Sequence, residues 1–195
     1  MNKNNSTPFQ NFDIDREKRA EIKKQKPKCI WLTGLSGSGK STIANALDKD
    51  FTESGLHSYI LDGDNIRNTL CSDLSFTDQD RHENIRRVAE VSKLMFDAGL
   101  IVICALISPF IKDRAFARSL FNAGDFIEVF VNTPIDVIIN RDPKGHYKNA
   151  QRGLIENFTG FDSEYQIPEN PEVVIETNLI SIDESILKIK EFIDK

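Results

Sequence analysis

Short apolar runs alternate along the chain with longer stretches in which apolar residues recur every three or four positions. The short runs have the length and composition of buried β-strands, whereas the longer stretches have the spacing of amphipathic helices. The runs cover residues 29–33, 58–62, 101–106, 126–131 and 173–177, and the helical stretches cover residues 40–53, 77–98, 112–122 and 182–193. Strands that alternate with helices usually form a parallel sheet with helices on both faces. The pattern therefore predicts an α/β domain with three layers, α/β/α, around a five-stranded, mainly parallel sheet.

The stretch that follows Thr77 shows how a helix is predicted in detail. Asp80 follows Thr77 by three positions, which resembles a capping box with Asp in place of Glu, and Gly99 is a typical residue for a helix end. The residues that would face the core are Ile85, Val88, Ala89, Ser92, Met95 and Phe96. We therefore expect one long helix that packs on the sheet through this face.

Two segments depart from the pattern. Residues 1–27 are polar and rich in Asn and Lys, which makes this N-terminal segment a candidate for disorder. Residues 141–170 are polar, carry basic side chains throughout, and contain three glycines and two prolines. This composition is typical of a mobile lid and not of a second domain. We therefore expect a single domain over residues 28–195 that includes a lid at about residues 141–170.

Charge and composition limit the partners of the chain. The 195 residues carry a formal net charge of -5 with both signs intermixed, so the basic stripe of a nucleic-acid binder is missing. No apolar stretch has the length of a signal peptide core or of a membrane span. Cys29 and Cys104 lie in apolar runs and no C-x-x-C pair occurs, which fits a reducing compartment. We expect a cytoplasmic protein with no nucleic-acid partner and no membrane contact.

The first predicted strand leads directly into a glycine-rich motif of the form G-x-x-x-x-G-K-[ST]. The motif consists of Gly34, Leu35, Ser36, Gly37, Ser38, Gly39, Lys40 and Ser41, and is followed by Thr42. Glycines allow backbone N–H groups to surround a polyphosphate, and the following helix N-terminus adds a favourable dipole. In such a loop Lys40 would bridge the β- and γ-phosphates of ATP and Ser41 would bind Mg²⁺. A glycine-rich turn without function is the alternative, but the position between a strand and a helix favours a phosphate loop.

Two carboxylates follow the second predicted strand, at the edge of the sheet where α/β proteins bind ligands. Asp62 and Asp64 flank Gly63, and either could hold hydrated Mg²⁺ or accept the proton of an acceptor hydroxyl. In an extended chain the two side chains share one side while Gly63 lets the chain turn between them, which makes Asp64 the better candidate for the base. Asp62 is expected to bind Mg²⁺ together with Ser41. The alternative is that both are ordinary turn residues at a strand end.

A second group of polar residues surrounds the start of the predicted helix over residues 77–98. Arg81 and Asn84 lie three positions apart near the helix N-terminus, and Arg67 and Phe76 precede them. Such a set can bind an anion, hydrogen-bond a ribose and stack on a purine. The simpler alternative is a solvated face in which Arg81, Arg86 and Arg87 pair with Asp78, Glu83 and Glu90. Ser108 ends the third strand and either touches substrate or forms a turn before Pro109.

Taken together, these motifs closely resemble those of the adenylylsulfate kinase family. The matching segments are residues 34–42, 61–67, 83–87, 107–109, 128–131, 141–145, 157–160 and 168–171, and they cover the chain from about residue 28 to residue 177. The resemblance implies a P-loop fold similar to that of nucleotide kinases, with ATP and Mg²⁺ as cosubstrate and cofactor. It also implies phosphorylation of the 3′-hydroxyl of adenosine 5′-phosphosulfate in sulfate assimilation, by a homodimeric, stand-alone enzyme.

The resemblance also assigns roles to individual residues. The acceptor site would comprise Asp64, Asn65, Arg67, Phe76, Arg81, Asn84, Ile107, Ser108, Lys144, Asn157 and Phe158. Phe76 and Phe158 would sandwich the adenine, and the family carries a phosphoserine at the position of Ser108. Closure of the lid would bring Lys144, Arg141 and Arg152 toward the phosphates, with Arg141 in the ATP site. Two departures from the family pattern are Ser75 in place of Gly and Phe110 in place of Tyr.

Three other functions share parts of this pattern. A P-loop kinase of another small acceptor has the same architecture. A nucleotide-dependent switch would hydrolyse its nucleotide without an acceptor, but the chain lacks the Asn-Lys-x-Asp element of guanine selection. A regulatory protein that binds the sulfate nucleotide without turnover is disfavoured by the presence of Lys40, Ser41, Asp62 and Asp64.

Overall fold

A computed structural model describes residues 10, 12–142, 145–154 and 158–193. Its five strands are β1 (Lys28–Thr33), β2 (Ser58–Asp62), β3 (Ile101–Ala105), β4 (Phe126–Asn132) and β5 (Val173–Glu176). They form one sheet in the order β2-β3-β1-β4-β5, and all four neighbouring pairs are parallel. The five strands and the α/β class predicted from the sequence are therefore confirmed, with strand ends that differ by at most one residue.

Eight helices occur in the described part of the chain. They are α1 (Arg16–Lys23), α2 (Lys40–Glu53), α3 (Gly63–Arg67), α4 (Asp78–Asp97), α5 (Ile111–Ser119), α6 (Ile135–Arg141), α7 (His146–Gln151) and α8 (Ile182–Ile193). The four longer helices after residue 28 correspond to the helical stretches predicted from spacing. The prediction for α5 ended three residues too late, and α1, α3, α6 and α7 were not predicted.

Helix α1 corrects the expectation of disorder for residues 1–27, at least from Arg16 onward. Asp15 caps the helix by accepting a hydrogen bond from the N–H of Lys18 at 2.9 Å. The guanidinium of Arg16 lies 4.9 Å from the ring centre of Phe96 and within 3.5 Å of Asp125. The sequence did not predict α1, because the stability of this helix comes from these contacts with the domain and not from an apolar stripe.

Residues of the central strand β1 alternate between two cores. Ile30 and Leu32 pack with α2 and α8, whereas Cys29 and Trp31 pack with α4 on the other face of the sheet. Burial on both faces explains why β1 is apolar at almost every position. The predicted core face of α4 is confirmed, since Ile85, Val88, Ala89, Ser92 and Phe96 are buried and Met95 is partly buried. Cys29 and Cys104 are buried as expected, and Cys71 is buried as well.

A chain of ion pairs links α5 to β4 and to the segment before β5. Arg114 binds Glu128 at 2.8 Å, and Arg118 binds both Glu128 and Glu172. Burial raises the pKa of Glu172, but hydrogen bonds from Arg118 and from the N–H of Glu128 outweigh it, so this pKa lies below its ordinary value of 4.5. The ionised carboxylate therefore stabilises the folded chain at neutral pH.

Replacing Glu172 by glutamine is expected to destabilise the protein by about 1 kcal/mol near neutral pH, where a charge-assisted hydrogen bond is lost. Because the pKa is lowered on folding, this contribution is present above the ordinary pKa and disappears as the pH falls through the folded-state pKa. Urea unfolding of the wild type and of Glu172→Gln at neutral and acidic pH measures the difference. If the two proteins differed by the same free energy of unfolding at both pH values, the ionised carboxylate of Glu172 would not be the source of the stabilisation.

Candidate active site

The loop after β1 has the geometry of a phosphate loop. Gly34, Gly37 and Gly39 have φ values of 152°, 78° and 106°. A Cβ at Gly34 would lie 2.5 Å from the carbonyl oxygen of Val131, so only glycine fits there. The Nζ of Lys40 is folded onto the loop, where it donates hydrogen bonds to the carbonyls of Gly34 and Leu35 at 2.9 and 2.7 Å. The Lys40 ammonium therefore lies against the loop whose N–H groups would surround the phosphates.

The two predicted Mg²⁺ ligands are in direct contact. Ser41 Oγ, in the first turn of α2, donates a 2.7 Å hydrogen bond to Asp62 Oδ2 at the end of β2. Asp62 also caps α3, since its Oδ1 accepts from the N–H of Asp64 at 3.0 Å and from that of Asn65 at 3.5 Å. No cluster of three His, Cys, Asp or Glu side chains occurs among residues 12–142, 145–154 and 158–193. A cation bound to Ser41 and Asp62 would therefore take its other ligands from water and phosphates, as Mg²⁺ prefers.

The geometric argument for Asp64 as the base is wrong, although Asp64 does reach the site. The chain is not extended after Asp62 but enters α3 at Gly63, so Asp62 and Asp64 do not share a side of a strand. Asp62 also has the structural role that was considered as its alternative, because it caps α3. Asp64, in the first turn of α3, lines the cavity described next.

A cavity of about 330 Å³ adjoins the phosphate loop at the carboxyl edge of β1, β2 and β3. Eight of the predicted acceptor-site residues line it, namely Asp64, Arg67, Phe76, Arg81, Asn84, Ile107, Ser108 and Phe158. Asn65 does not line it, and Lys144 and Asn157 lie outside the described residues. The fold therefore brings together side chains that are up to 94 positions apart in the sequence, from Asp64 to Phe158.

The polar groups of this cavity are suited to an anionic ligand. Burial lowers the pKa of Arg67 and of Arg81, and the nearby charge of Arg67 lowers the pKa of Arg81 further. Arg81 donates to the carbonyl of Phe76 at 3.0 Å and to Thr159 Oγ1 at 2.7 Å. Two guanidinium groups that repel each other in a partly buried cavity favour the binding of an anion between them.

Asn84 is the least satisfied polar residue of the cavity. Its side chain is only 4% exposed, and its Nδ2 has no hydrogen-bond partner among the described residues. A buried donor without a partner costs free energy, so such groups usually have a functional explanation. A ligand oxygen in the cavity would provide the missing acceptor.

The alternative that the arginines of α4 pair with carboxylates on a solvated face is correct for Arg86 and Arg87 and wrong for Arg81. Arg86 and Arg87 bind Glu83 at 2.7 and 2.9 Å, and Arg87 also binds Asp73. Arg81 instead is 6% exposed and belongs to the cavity. Helical spacing alone could not separate these residues, because the lid that covers Arg81 is distant in sequence.

Ser108 lines the cavity, but it is buried and its hydroxyl is held by core residues. The residue is 1% exposed, its hydroxyl accepts a hydrogen bond from Trp31 Nε1 at 3.1 Å, and it donates to Thr33 Oγ1 at 2.9 Å. Its φ of 39° is unusual for a residue with a side chain. A hydroxyl with both partners in the core is poorly placed to receive a phosphoryl group, so this geometry gives no support to a phosphoserine.

The two departures from the family pattern are accommodated locally. Ser75 joins the cap of α4, because its N–H and its hydroxyl both bind the carboxylate of Asp80, while Thr77 accepts from the N–H of Asp80 at 3.2 Å. The carbonyl of Ser75 accepts from Arg67 at 2.9 Å, which holds this guanidinium 4.3 Å from the ring centre of Phe76. Phe110 packs on His82 with ring centres 4.7 Å apart.

A second cavity of about 150 Å³ lies over the phosphate loop. It is lined by Ser36, Gly37, Gly39, Lys40, Ser41 and Thr42 of the motif, and by Asp142, His146 and Tyr147 of the lid. Sequence reasoning missed His146 and Tyr147, although the spacing of Tyr147 and Ala150 after Gly145 was a weak helical signal. Arg141 lines neither cavity, since its guanidinium binds the hydroxyl and the carbonyl of Thr177 at 3.0 Å each. Thr177 Oγ1 in turn donates to the carbonyl of Ser38 in the phosphate loop at 3.2 Å, and the place of Arg141 in the ATP site stays a prediction.

A phosphate loop on the central strand, with the 330 Å³ cavity beside it for an acceptor, defines a P-loop kinase of small molecules. The chain belongs to the adenylylsulphate kinase family, whose model matches residues 26–176, and it is an ATP-dependent phosphotransferase. The adenylyl-sulfate kinases of Marinobacter nauticus and Vibrio parahaemolyticus are each 56% identical to it over 173 residues, which is 89% of this chain and 87% or 84% of theirs.

Solved structures lead to the same family. The APS kinase of Mycobacterium tuberculosis, solved in complex with AMPPNP and APS, superimposes with a TM-score of 0.83 at 44% identity. The match covers 87% of this chain and 99% of that one. In the described part of the chain no helix has the length and hydropathy required to span a membrane.

Proposed function

We propose that this kinase transfers the γ-phosphoryl group of Mg-ATP to the 3′-hydroxyl of adenosine 5′-phosphosulfate, giving 3′-phosphoadenosine 5′-phosphosulfate and ADP. The observation that carries the proposal is the cavity beside the phosphate loop, which is lined by Arg67, by Arg81 and by Asn84, whose Nδ2 has no hydrogen-bond partner among the described residues. Relatives at 56% identity carry this activity in their names.

The phosphates of ATP would lie in the loop of residues 34–42, with backbone N–H groups and the α2 N-terminus as donors. Lys40 would leave the carbonyls of Gly34 and Leu35 for the β- and γ-phosphate oxygens. Ser41 and Asp62, 2.7 Å apart, would hold Mg²⁺ directly or through water, and the ion would neutralise charge on the transferring group.

The acceptor would lie in the larger cavity. Phe76 is exposed and Phe158 is buried, and both line the cavity, so each offers a ring on which an adenine could stack. Arg67 and Arg81 would bind the phosphosulfate, and Asn84 would donate to an acceptor oxygen. The roles of Lys144 and Asn157 in binding the acceptor rest on the family resemblance alone.

Direct in-line transfer is the mechanism that this geometry favours. Asp64 lines the acceptor cavity in the first turn of α3, and we assign to it the role of accepting the proton of the 3′-hydroxyl. Its basicity is of secondary importance, because a loose transition state depends mainly on positioning and charge neutralisation. The lid would exclude water and so prevent hydrolysis of ATP.

We extend the proposal to a homodimer in the cytoplasm. An APS kinase of Thiobacillus denitrificans, 30% identical to this chain, is described as hexameric, so assembly occurs among its relatives. The three cysteines are buried and free of disulfides, in keeping with a reducing compartment. Light scattering of the purified protein would give the oligomeric state.

The test of this function is ADP release from Mg-ATP in the presence of different acceptors. Adenosine 5′-phosphosulfate is expected to stimulate release, whereas AMP, shikimate and buffer alone are not. Stimulation by shikimate would indicate a kinase of another acceptor. Equal release without acceptor would indicate a nucleotide-dependent switch.

Replacing Asn84 by leucine is expected to separate stability from acceptor binding. The buried Nδ2 has no partner in the free protein, so an apolar side chain of similar size should leave the melting temperature unchanged or raise it. The KM for adenosine 5′-phosphosulfate should rise about tenfold or more, since a donor to the ligand is lost. A lower melting temperature with an unchanged KM would show that Asn84 is structural.

A further inference from the structure

The lid packs directly on the phosphate loop through one small apolar cluster. Tyr147 and Ala150 of α7, Phe158 of the lid and Ile138 of α6 are buried together, and Leu35 of the loop packs against them. A Cβ at Gly160 would come within 2.6 Å of Leu35, so the lid backbone touches the loop closely. Within this cluster, Tyr147 lines the cavity over the phosphate loop and Phe158 lines the acceptor cavity.

Tyr147 makes the polar contact of this cluster with the loop. Its side chain is 1% exposed, and its hydroxyl donates a 3.2 Å hydrogen bond to the carbonyl of Ser36. Burial and the charge of Asp142 raise the pKa of Tyr147 to about 12, so the hydroxyl keeps its proton at every pH at which the enzyme would work. The residue is therefore a permanent donor.

The bond to Ser36 has a geometric consequence for phosphate binding. The Ser36 carbonyl and the Gly37 N–H belong to one planar trans peptide unit, so they point in opposite directions. Holding the carbonyl toward Tyr147 therefore fixes the direction of the Gly37 N–H. Gly37 lines both cavities, which places this peptide where the transferring phosphoryl group would pass.

The ring of Tyr147 has a different neighbour. It meets Phe158 edge-on, with ring centres 4.8 Å apart and planes at 86°. Phe158 lines the acceptor cavity, and the next residue, Thr159, accepts a 2.7 Å hydrogen bond from Arg81. The orientation of the Phe158 ring thus depends on the ring of Tyr147 and not on its hydroxyl.

We propose that Tyr147 is a positioning residue with two separable roles, its hydroxyl orienting the Ser36–Gly37 peptide for ATP and its ring supporting Phe158 for the acceptor. The acceptor half rests on the proposed function, whereas the ATP half requires only the phosphate loop. Tyr147 itself touches the protein groups that bind substrate and need not touch the reacting atoms.

Two substitutions separate the roles, and both are measured on the full-length enzyme. Tyr147→Phe should raise the Kd for an ATP analogue and the KM for ATP about 3–10-fold, the effect of one lost hydrogen bond, with the acceptor KM changed by less than about twofold. Tyr147→Leu should raise the acceptor KM about 3–10-fold in addition, since the aromatic contact is also lost. Calorimetry gives the Kd without any acceptor.

Tyr165→Phe is the matched control. Tyr165 is a half-buried tyrosine, with its hydroxyl 3.0 Å from Thr33 Oγ1 and its pKa raised to about 12, but it lines neither cavity. This variant should lose stability without any change in ATP affinity.

Tyr147→Phe decides the role of the hydroxyl, because it is the least disruptive change. An ATP-analogue affinity that stays within about twofold of wild type, or that falls equally in Tyr165→Phe, would overturn it. So would an equal rise of both KM values in Tyr147→Phe. If the wild type releases ADP independently of adenosine 5′-phosphosulfate, the proposed function fails, yet the calorimetric comparison still tests the hydroxyl.

Discussion

Replacing Lys40 by alanine is expected to lower kcat by about 10³-fold, the largest effect of any single substitution in this enzyme. The side chain is 8% exposed and its Nζ lies against the carbonyls of Gly34 and Leu35, inside the loop where the β- and γ-phosphates bind. Charge that develops on the transferring group would lose its main fixed cation from the protein. Steady-state assays of acceptor-dependent ADP release measure the change.

Lys49 provides the control for this experiment. It lies on the same helix, α2, but its side chain is 72% exposed and pairs with Glu53 at the surface. Lys49→Ala should keep kcat within about twofold of wild type, because exposed ion pairs contribute little. If Lys40→Ala also kept kcat within about tenfold, the assigned role of the loop lysine would be wrong.

Replacing Asp62 by asparagine is expected to lower kcat by about 10²-fold and to raise the Mg²⁺ concentration needed for half-maximal rate. Asparagine caps helices as well as aspartate does, so the cap of α3 and the stability of the fold should survive. Only the charge next to Ser41 Oγ is removed. Magnesium titrations of the wild type and the variant measure the shift.

Asp48 allows a matched comparison, since it also accepts a 2.7 Å hydrogen bond from a serine hydroxyl, that of Ser58, away from both cavities. Asp48→Asn should leave the Mg²⁺ requirement unchanged. A normal Mg²⁺ requirement in Asp62→Asn would mean that Asp62 serves as a helix cap and not as a metal ligand.

The parts of the fold that could be predicted from the sequence are those with a long local pattern. The apolar strands and the stripe of α4 from Ile85 to Phe96 bury one repeating face, so spacing alone identifies them. Helices α3, α6 and α7 have five to seven residues, too few for a periodic pattern to emerge. Helix α1 depends on contacts such as that of Arg16 with Phe96, which no local pattern reveals.

The candidate active site also has parts that could be predicted from the sequence and parts that could not. The phosphate loop is contiguous, so Lys40 and Ser41 could be assigned from the sequence with their roles. The base and the arginines required tertiary information: the turn into α3 moved Asp64 away from the geometry expected for it, and Arg81 differed from Arg86 and Arg87 only through its contact with Thr159. Tyr147 was missed because its partners, Ser36 and Phe158, come from distant segments.

We expect the enzyme to move the phosphoryl group from ATP to the 3′-oxygen of the acceptor. Phosphorus–proton NMR of the product formed from Mg-ATP and adenosine 5′-phosphosulfate tests this claim directly. We expect a new phosphate resonance coupled to the ribose H3′, with one ADP formed for each product molecule. Coupling to another ribose proton, or inorganic phosphate as the only new phosphorus species, would contradict it.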